Sequence, residues 1–249
     1  DPWIDSYADR AMGMTASEIR ALFAVASRPE VVSLAGGMPF VNALPMDAIA
    51  STVEHMLLTR GNVALQYGGG QGDQTLREQI LEVMAPVGVK AHPDDIVVTA
   101  GSQMALDLVT KIFCNPGDVV LVEAPSYVGA LGVFQSYQVD VEHVTMDAGG
   151  LVPEALRDAL SRQRAAGKTV KMIYTIPNYH NPAGVSQSQS RREEILDIAK
   201  SAGVLLLEDD PYGLLGFDGT VPQAIRAMDQ DAVVYLGSFS KTIAGGLRV

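Results

Sequence analysis

From Asp95 onward the chain repeats one pattern, a short apolar run followed by a turn and a helical stretch. The runs are "IVVTAG", "VVLVEAP", "VDVEHV", "VKMIYTIP", "VLLLEDDP" and "AVVYLGS", and helical segments over 103–113, 127–137, 153–165 and 189–202 lie between most of them. Runs this uniformly apolar suit strands buried on both faces, and strands that alternate with helices demand a mainly parallel sheet. The expected fold is therefore α/β: three layers, with a doubly wound, mainly parallel sheet at the centre. In such sheets ligands bind at the carboxyl ends of the strands. The residue clusters that close each run are the first places to look for chemistry.

Ahead of this pattern the chain is less regular. "TASEIRALFAVASRP" has a Thr or Ser start signal, a helical apolar rhythm and a proline stop. "VVSLAGGMPFVNALP" is broken by Gly36, Gly37 and two prolines and reads as a loop. A helix is expected from about Met46 to Thr59, and "LQYGGGQGDQTLREQILEVM" reads as a glycine loop running into a helix capped near Asp73. These features divide the chain into an N-terminal arm, 1–45, and a larger domain, 46–249.

Composition narrows the classes of partner. Forty-seven per cent of the 249 residues are hydrophobic, enough to bury a sizeable core. The formal charge is −11, and an acidic surface repels phosphate backbones, which argues against nucleic acid as a partner. No stretch offers the roughly 18 apolar residues of a membrane span, and "DPWIDSYADRAMGM" lacks a secretory pattern. Cys114 is the single cysteine, so no internal disulfide can form; a buried thiol in a reducing cytoplasm is the expectation.

Each cluster at a strand end carries two readings. In "TAGSQMALDLV", Gly101, Ser102 and Gln103 stand where a strand turns into a helix, and the free N–H groups there suit a phosphate. An ordinary helix cap by Ser102 would use the same residues. Tyr127 in "EAPSYVGAL" could stack on a planar ligand or simply pack. Asn178 and Asn181 in "PNYHNPAG" are turn formers that could also donate to a ligand oxygen. "LLLEDDPYG" drives Glu208, Asp209 and Asp210 straight out of a leucine run. A carboxylate beside buried apolar surface needs a partner, and a cationic ring nitrogen would be one. A metal is the rival, but His55, His92, His143 and His180 are scattered singly, without ligand spacing. Lys241 in "GSFSKTIAGGLR" is either a solvated loop residue or a functional amine.

Three other motifs fail. "GGGQGD" places Asp73 where a dinucleotide fingerprint needs its third glycine, and it precedes the first clear strand. Neither a Walker-type phosphate loop nor a G-x-S-x-G elbow is present.

Taken in order, "GSQ", "PSY", "PNYHNPAG", "EDDPYG" and "GSFSKTIAGGLR" resemble the motifs of fold-type I pyridoxal-phosphate enzymes, the aspartate-aminotransferase superfamily. The 2-aminoadipate and kynurenine-type aminotransferases are the nearest look-alikes, and the likeness runs from "SEIRALF" to Arg248. By this resemblance Lys241 would form the Schiff base with pyridoxal 5'-phosphate, and Asp209 would pair with the protonated ring nitrogen. Tyr212 and Asn181 would hydrogen-bond the ring's phenolic oxygen, and Tyr127 would stack on the ring. Ser102, Gln103, Ser238, Ser240 and Arg248 would surround the phosphate, and Tyr67 would reach the phosphate of a neighbouring subunit, which implies a homodimer. The amino group of an L-amino acid would pass to the cofactor, as pyridoxamine phosphate, and then to a 2-oxo acid. Ser17 and Arg20 of the first helix, and the Gly36–Gly37 loop, would lie over the substrate, with Arg20 facing an acidic side chain and Asn181 also in reach. Asn181–Pro182 is an expected cis peptide and Ala124–Pro125 a second candidate. The resemblance also implies a C-terminal small domain, with an arginine for the substrate α-carboxylate, that this sequence does not contain. Two other functions share these motifs: the effector-binding half of a winged-helix transcription regulator, and a lyase using the same cofactor.

Overall fold

The computed structural model describes residues 1–12, 25, 28, 30–32 and 37–249. Among them six strands form one sheet: β1 (Val119–Ala124), β2 (Asp140–Asp147), β3 (Gly150–Leu151), β4 (Val170–Thr175), β5 (Leu205–Asp209) and β6 (Val233–Leu236). Their order is β3-β2-β1-β4-β5-β6. All neighbours pair in parallel except β3, which runs antiparallel to β2. After a single helical turn at Asp9–Met12, the longer helices are α1 (Met46–Ala64), α2 (Gln74–Met84), α3 (Ser102–Phe113), α4 (Val128–Ser136), α5 (Pro153–Ala165) and α6 (Gln189–Ala202).

The period of two along each strand decides what packs where. Leu121, Ile173 and Leu206 face one way and meet Leu156 and Ala159 of α5 and Ile195 and Ala199 of α6. Val122, Met172 and Leu207 face the other way, against Leu106 of α3 and Ala130 and Phe134 of α4. The sheet is thus covered on both faces, and this explains why its central strands are apolar without alternation. Burying each such aliphatic side chain contributes about 1.5–3 kcal/mol. Both chain directions diverge from β1, with β2 on one side and β4, β5 and β6 on the other, which is the doubly wound arrangement.

Local signals set the helix ends. The Asp73 carboxylate accepts the Leu76 N–H at 3.1 Å to start α2, and Ser188 does the same for Arg191 at 3.3 Å to start α6. Gly203 closes α6 at φ +67°, a conformation that favours glycine. Helix α1 runs past the expected Thr59 to Ala64, with a break in helical geometry at Arg60, and none of its residues is buried.

One expected strand is absent. "IVVTAG" has the composition of β1, yet residues 96–101 form no ladder; the Val98 N–H donates instead to the Gln71 carbonyl at 2.9 Å. A strand exists only when a neighbour takes its backbone groups. Here an apolar groove of about 290 Å³, lined by Ile96, Val98, Val234, Leu236 and Phe239, separates the segment from β6.

Candidate active site

The end of β5 sorts three consecutive carboxylates into three environments. Strand alternation sends Glu208 and Asp209 to opposite faces of the sheet. Glu208 is fully buried and accepts from the Ile225 and Arg226 N–H groups at 2.9 and 2.8 Å, so it caps the turn Ile225–Ala227. Burial pushes its pKa up to about 7. Asp210 accepts from the Asn178 amide and the Gly213 N–H, both at 2.9 Å, and from the Tyr235 hydroxyl at 3.2 Å. Asp209 differs from both. Its Oδ2 accepts the Tyr174 hydroxyl at 2.6 Å, while its buried Oδ1 has no hydrogen-bond partner among the described residues. Burial pushes Asp209 up to about 6, against the pull of the Tyr174 bond and with a smaller push from Asp210. An unpaired buried carboxylate oxygen is costly, which marks Asp209 as the member of the trio left open for a ligand donor. Among the described residues no three His, Cys, Asp or Glu side chains gather to hold a metal ion.

The loop after β4 is fastened from beneath. Arg192 of α6, 1% exposed, donates to the carbonyls of Gln187, Gln223 and Pro177 at 3.1, 2.8 and 3.3 Å and to the Asn178 side-chain oxygen. Asn178 in turn donates to Asp210, so the guanidinium charge reaches that carboxylate through an amide. Glu123, buried at the end of β1, accepts from Thr175 Oγ1, the Ile176 N–H and Gln187 Nε2 at 2.9, 2.8 and 3.0 Å. His180 Nε2 stands 3.1 Å from Glu123 Oε2, and both side chains are shielded from water. This histidine is a core residue, in keeping with its isolation in the sequence. Asn181, held between these anchors and the cis Asn181–Pro182 bond, hydrogen-bonds Tyr212; Ala124–Pro125 is also cis.

Tyr127 follows β1 and starts α4. Its ring lies over Gly129, where an added Cβ would come within 2.4 Å of the ring, so the glycine makes the space. Gln103 Nε2 donates to the Gly129 carbonyl at 2.9 Å, and the Tyr127 hydroxyl donates to Gln103 Oε1 at 3.4 Å. Burial raises the Tyr127 and Tyr212 phenol pKa values, and the charge of Asp209 raises both further. The four side chains Tyr127, Asp209, Tyr212 and Asn181 therefore share one locale.

The remaining candidates form the rim. After β6, Ser238 Oγ donates to Ser240 Oγ at 2.9 Å and accepts the Ser240 N–H at 3.1 Å. A π-helical turn, Ser240–Ala244, carries Lys241. Its Nζ donates to the Gly37 carbonyl at 3.1 Å, and desolvation lowers its pKa, which increases the share of neutral amine. Arg248 donates to the Ala100 carbonyl at 2.8 Å, just before the N-terminus of α3. Gly101, at φ +79°, permits this approach: a Cβ there would lie 2.9 Å from Arg248 Nη2. The Val249 carbonyl lies 3.3 Å from Ser238 Oγ as a second acceptor for the same hydroxyl, which places the serines beside the segment that holds Arg248.

The structure thus brings together most of the residues singled out from the sequence. Tyr67 is 99% exposed, and no hydrogen bond of its side chain reaches this cluster. Ser17, Arg20 and Gly36 lie outside the described residues. Tyr174, Gly129, Arg192 and Glu123 were not foreseen. Tyr174 left a faint signal, as a hydroxyl-bearing aromatic near the end of an apolar run, but Tyr235 in "AVVYLGS" shares it. Gly129 left none, because its value lies in a contact.

The family described as "Aminotransferase class I and II" matches residues 30–249. The chain is 38% identical over 245 residues to aromatic-amino-acid aminotransferase 1 of Thermococcus litoralis, covering 98% of this chain and 59% of that one. The crystal structure of Pyrococcus horikoshii kynurenine aminotransferase in complex with PMP superposes with a TM-score of 0.89 at 37% identity, over 97% of this chain and 60% of that one. An uncharacterized HTH-type transcriptional regulator of Bacillus subtilis, YisV, is 31% identical over 99% of this chain and 50% of its own length. The chain spans about three fifths of the length of the aminotransferases it matches.

Proposed function

This chain belongs to the class I and II aminotransferases, and we propose that it moves the amino group of an L-amino acid to a 2-oxo acid with pyridoxal 5'-phosphate as cofactor. The observation that carries this reading is Asp209 Oδ1, a buried carboxylate oxygen with no partner among the described residues, beside a stackable tyrosine. A pyridinium N–H is the donor such an oxygen lacks, so the residues present fit the cofactor. Bound there, the cofactor supplies an electron sink for the pair released when the substrate Cα–H bond breaks.

The chain's residues would divide the remaining work. Asp209 would hold the ring nitrogen protonated, Tyr127 would cover the ring, and Asn181 with Tyr212 would hydrogen-bond its phenolic oxygen. Ser102, Gln103, Ser238, Ser240 and Arg248 would bind the phosphate, where a helix N-terminus, hydroxyls and a fixed guanidinium match its charge and shape. Lys241 Nζ would anchor the cofactor and then carry the proton from Cα, a task for which its lowered pKa suits it. Arg20 and Gly37, on the arm 1–45, would lie over the substrate, and Asn181 would contact it.

A cytoplasmic homodimer completes the reading. Val53, Met56, Leu57 and Leu58 of α1 are exposed apolar residues on a helix that buries none, and a second copy would cover them. Tyr67, fully exposed just after that helix, is free to serve the partner's phosphate. The test is the visible absorbance of the protein with pyridoxal phosphate, before and after L-amino acids. A Lys241-dependent band that an amino acid bleaches and a 2-oxo acid restores supports transamination. A band that forms and never converts favours the regulator reading, which the likeness to YisV keeps in play. A band that survives Lys241→Ala overturns the assignment of Lys241.

A further inference from the structure

The Tyr174–Asp209 pair has no counterpart among the roles assigned above. Tyr174 is fully buried in β4, its ring packed edge-on against Phe134 at 5.8 Å and 77°. Register explains the meeting: Tyr174 pairs with Leu207, and Asp209 lies two residues further along β5 on the same face. The phenol reaches Oδ2 at 2.6 Å, the length of a hydrogen bond to an ionised acceptor. A carboxylate free to turn about its last torsion would present either oxygen or neither. Held by Oδ2, it can present only Oδ1.

We infer that Tyr174 is a positioning residue, whose buried hydroxyl locks Asp209 so that Oδ1 stands ready for a cationic ring nitrogen. The same bond favours the charged carboxylate against the burial that opposes it. Every other titratable group coupled to Asp209 works differently: Asp210 repels its charge, and Tyr127, Tyr212 and Tyr235 are phenols held neutral by burial and by that charge. Tyr174 is the single side chain that donates to Asp209 among the described residues. The carboxylate is therefore oriented before any ligand enters. The inference rests on the pyridoxal-phosphate reading for the identity of the ligand, but the positioning bond belongs to the apoprotein.

The experiment follows the Asp209 carboxyl carbon by ¹³C NMR across pH in the apoprotein, and the Kd for pyridoxal phosphate across the same range. Tyr174→Phe keeps the ring against Phe134 and removes the donor. The expected result is a titration midpoint higher by about one pH unit and a Kd about twofold weaker near neutrality, growing to roughly tenfold near pH 5 and recovering as pH rises past the new midpoint. Phe134→Leu loosens the same packing, keeps the phenol, and should leave the midpoint in place. An unmoved midpoint in Tyr174→Phe, or an equal shift in Phe134→Leu, overturns the inference. If Tyr174→Phe does not fold, the wild-type carboxyl signal should shift between H₂O and D₂O through the donated hydroxyl; no isotope shift overturns the inference. A Tyr174-dependent midpoint in a protein that takes up no pyridoxal phosphate supports the positioning bond and overturns the cofactor reading alone.

Discussion

The two halves of the site are built by opposite means, and Asp209 and Lys241 stand for them. Asp209 lies at the end of a central strand, 6% exposed, with a buried tyrosine on one oxygen and a fully satisfied carboxylate on each side. Lys241 sits in a half-exposed turn beyond an edge strand, and its amine meets Gly37, a residue 204 positions away on the arm. The interior half is complete within this chain and braced by Arg192, Asn178 and Glu123. The rim half draws on a distant segment, on the last two residues, and by proposal on a second copy. Orientation of a buried charge demands rigidity, while an amine that must change partners demands room.

Substitutions can break this contrast, and the largest effect belongs to the rim. Lys241→Ala should lower the proposed transamination roughly 10³-fold or more, the loss that follows from the proton-carrying role proposed for Lys241. Thermal unfolding should shift little, since the amine makes a single hydrogen bond among the described residues, on partly exposed surface. A large loss of Tm would show that the rim is structural. Arg192→Leu should do the reverse. It strips donors from three carbonyls and from Asn178, at a cost of about 3 kcal/mol, and Tm should fall by roughly 10 °C.

The interior should also show itself in pH dependence of the apoprotein. Burial raises Glu208 from 4.5 to about 7 and Asp209 from 3.8 to about 6, so the folded state holds these protons longer than the unfolded chain. Folding stability should then decline as pH rises from about 4 through 7, by up to about 3 kcal/mol for Glu208. Calorimetry across that range checks the sign, and Glu208→Gln should flatten the slope. Asp147, Asp218 and Asp229 act in the opposite sense, their pKa values lowered by hydrogen bonds, and cost stability only below their usual range.

Two smaller effects sharpen the boundary between the halves. Gly129→Ala would push a methyl into the Tyr127 ring and should weaken cofactor binding about tenfold, measured by fluorescence titration, with little change in fold. Leu57→Lys on α1 should change the folding stability of the chain by no more than about 0.5 kcal/mol, because the side chain is already exposed. In sedimentation velocity it should nonetheless weaken self-association. A chain that remains fully dimeric would place the interface elsewhere.

Legibility in the sequence followed the range of the interactions involved. Strands β1, β4 and β5 and helices α5 and α6 were readable nearly to the residue, since period and caps are local properties of a few neighbouring side chains. "IVVTAG" misled because a strand's composition is local while its ladder is not. The residues around Lys241 and Asp209 were recognisable as an ordered set of motifs, and the likeness singled out Asp209 of "EDD", but its spelling does not say which donors satisfy Glu208 and Asp210.

The amino-acid sequence by itself determined the α/β class, the direction of the strands, and the short list of residues at their carboxyl ends. Tertiary structure alone decided that the turn at Ile225 would consume Glu208, that Asn178 and Tyr235 would consume Asp210, and that Tyr174 would leave one oxygen of Asp209 open. The reason is physical: hydropathy and propensity act over a few residues of chain, whereas hydrogen-bond satisfaction inside a core depends on donors brought in from far along the sequence.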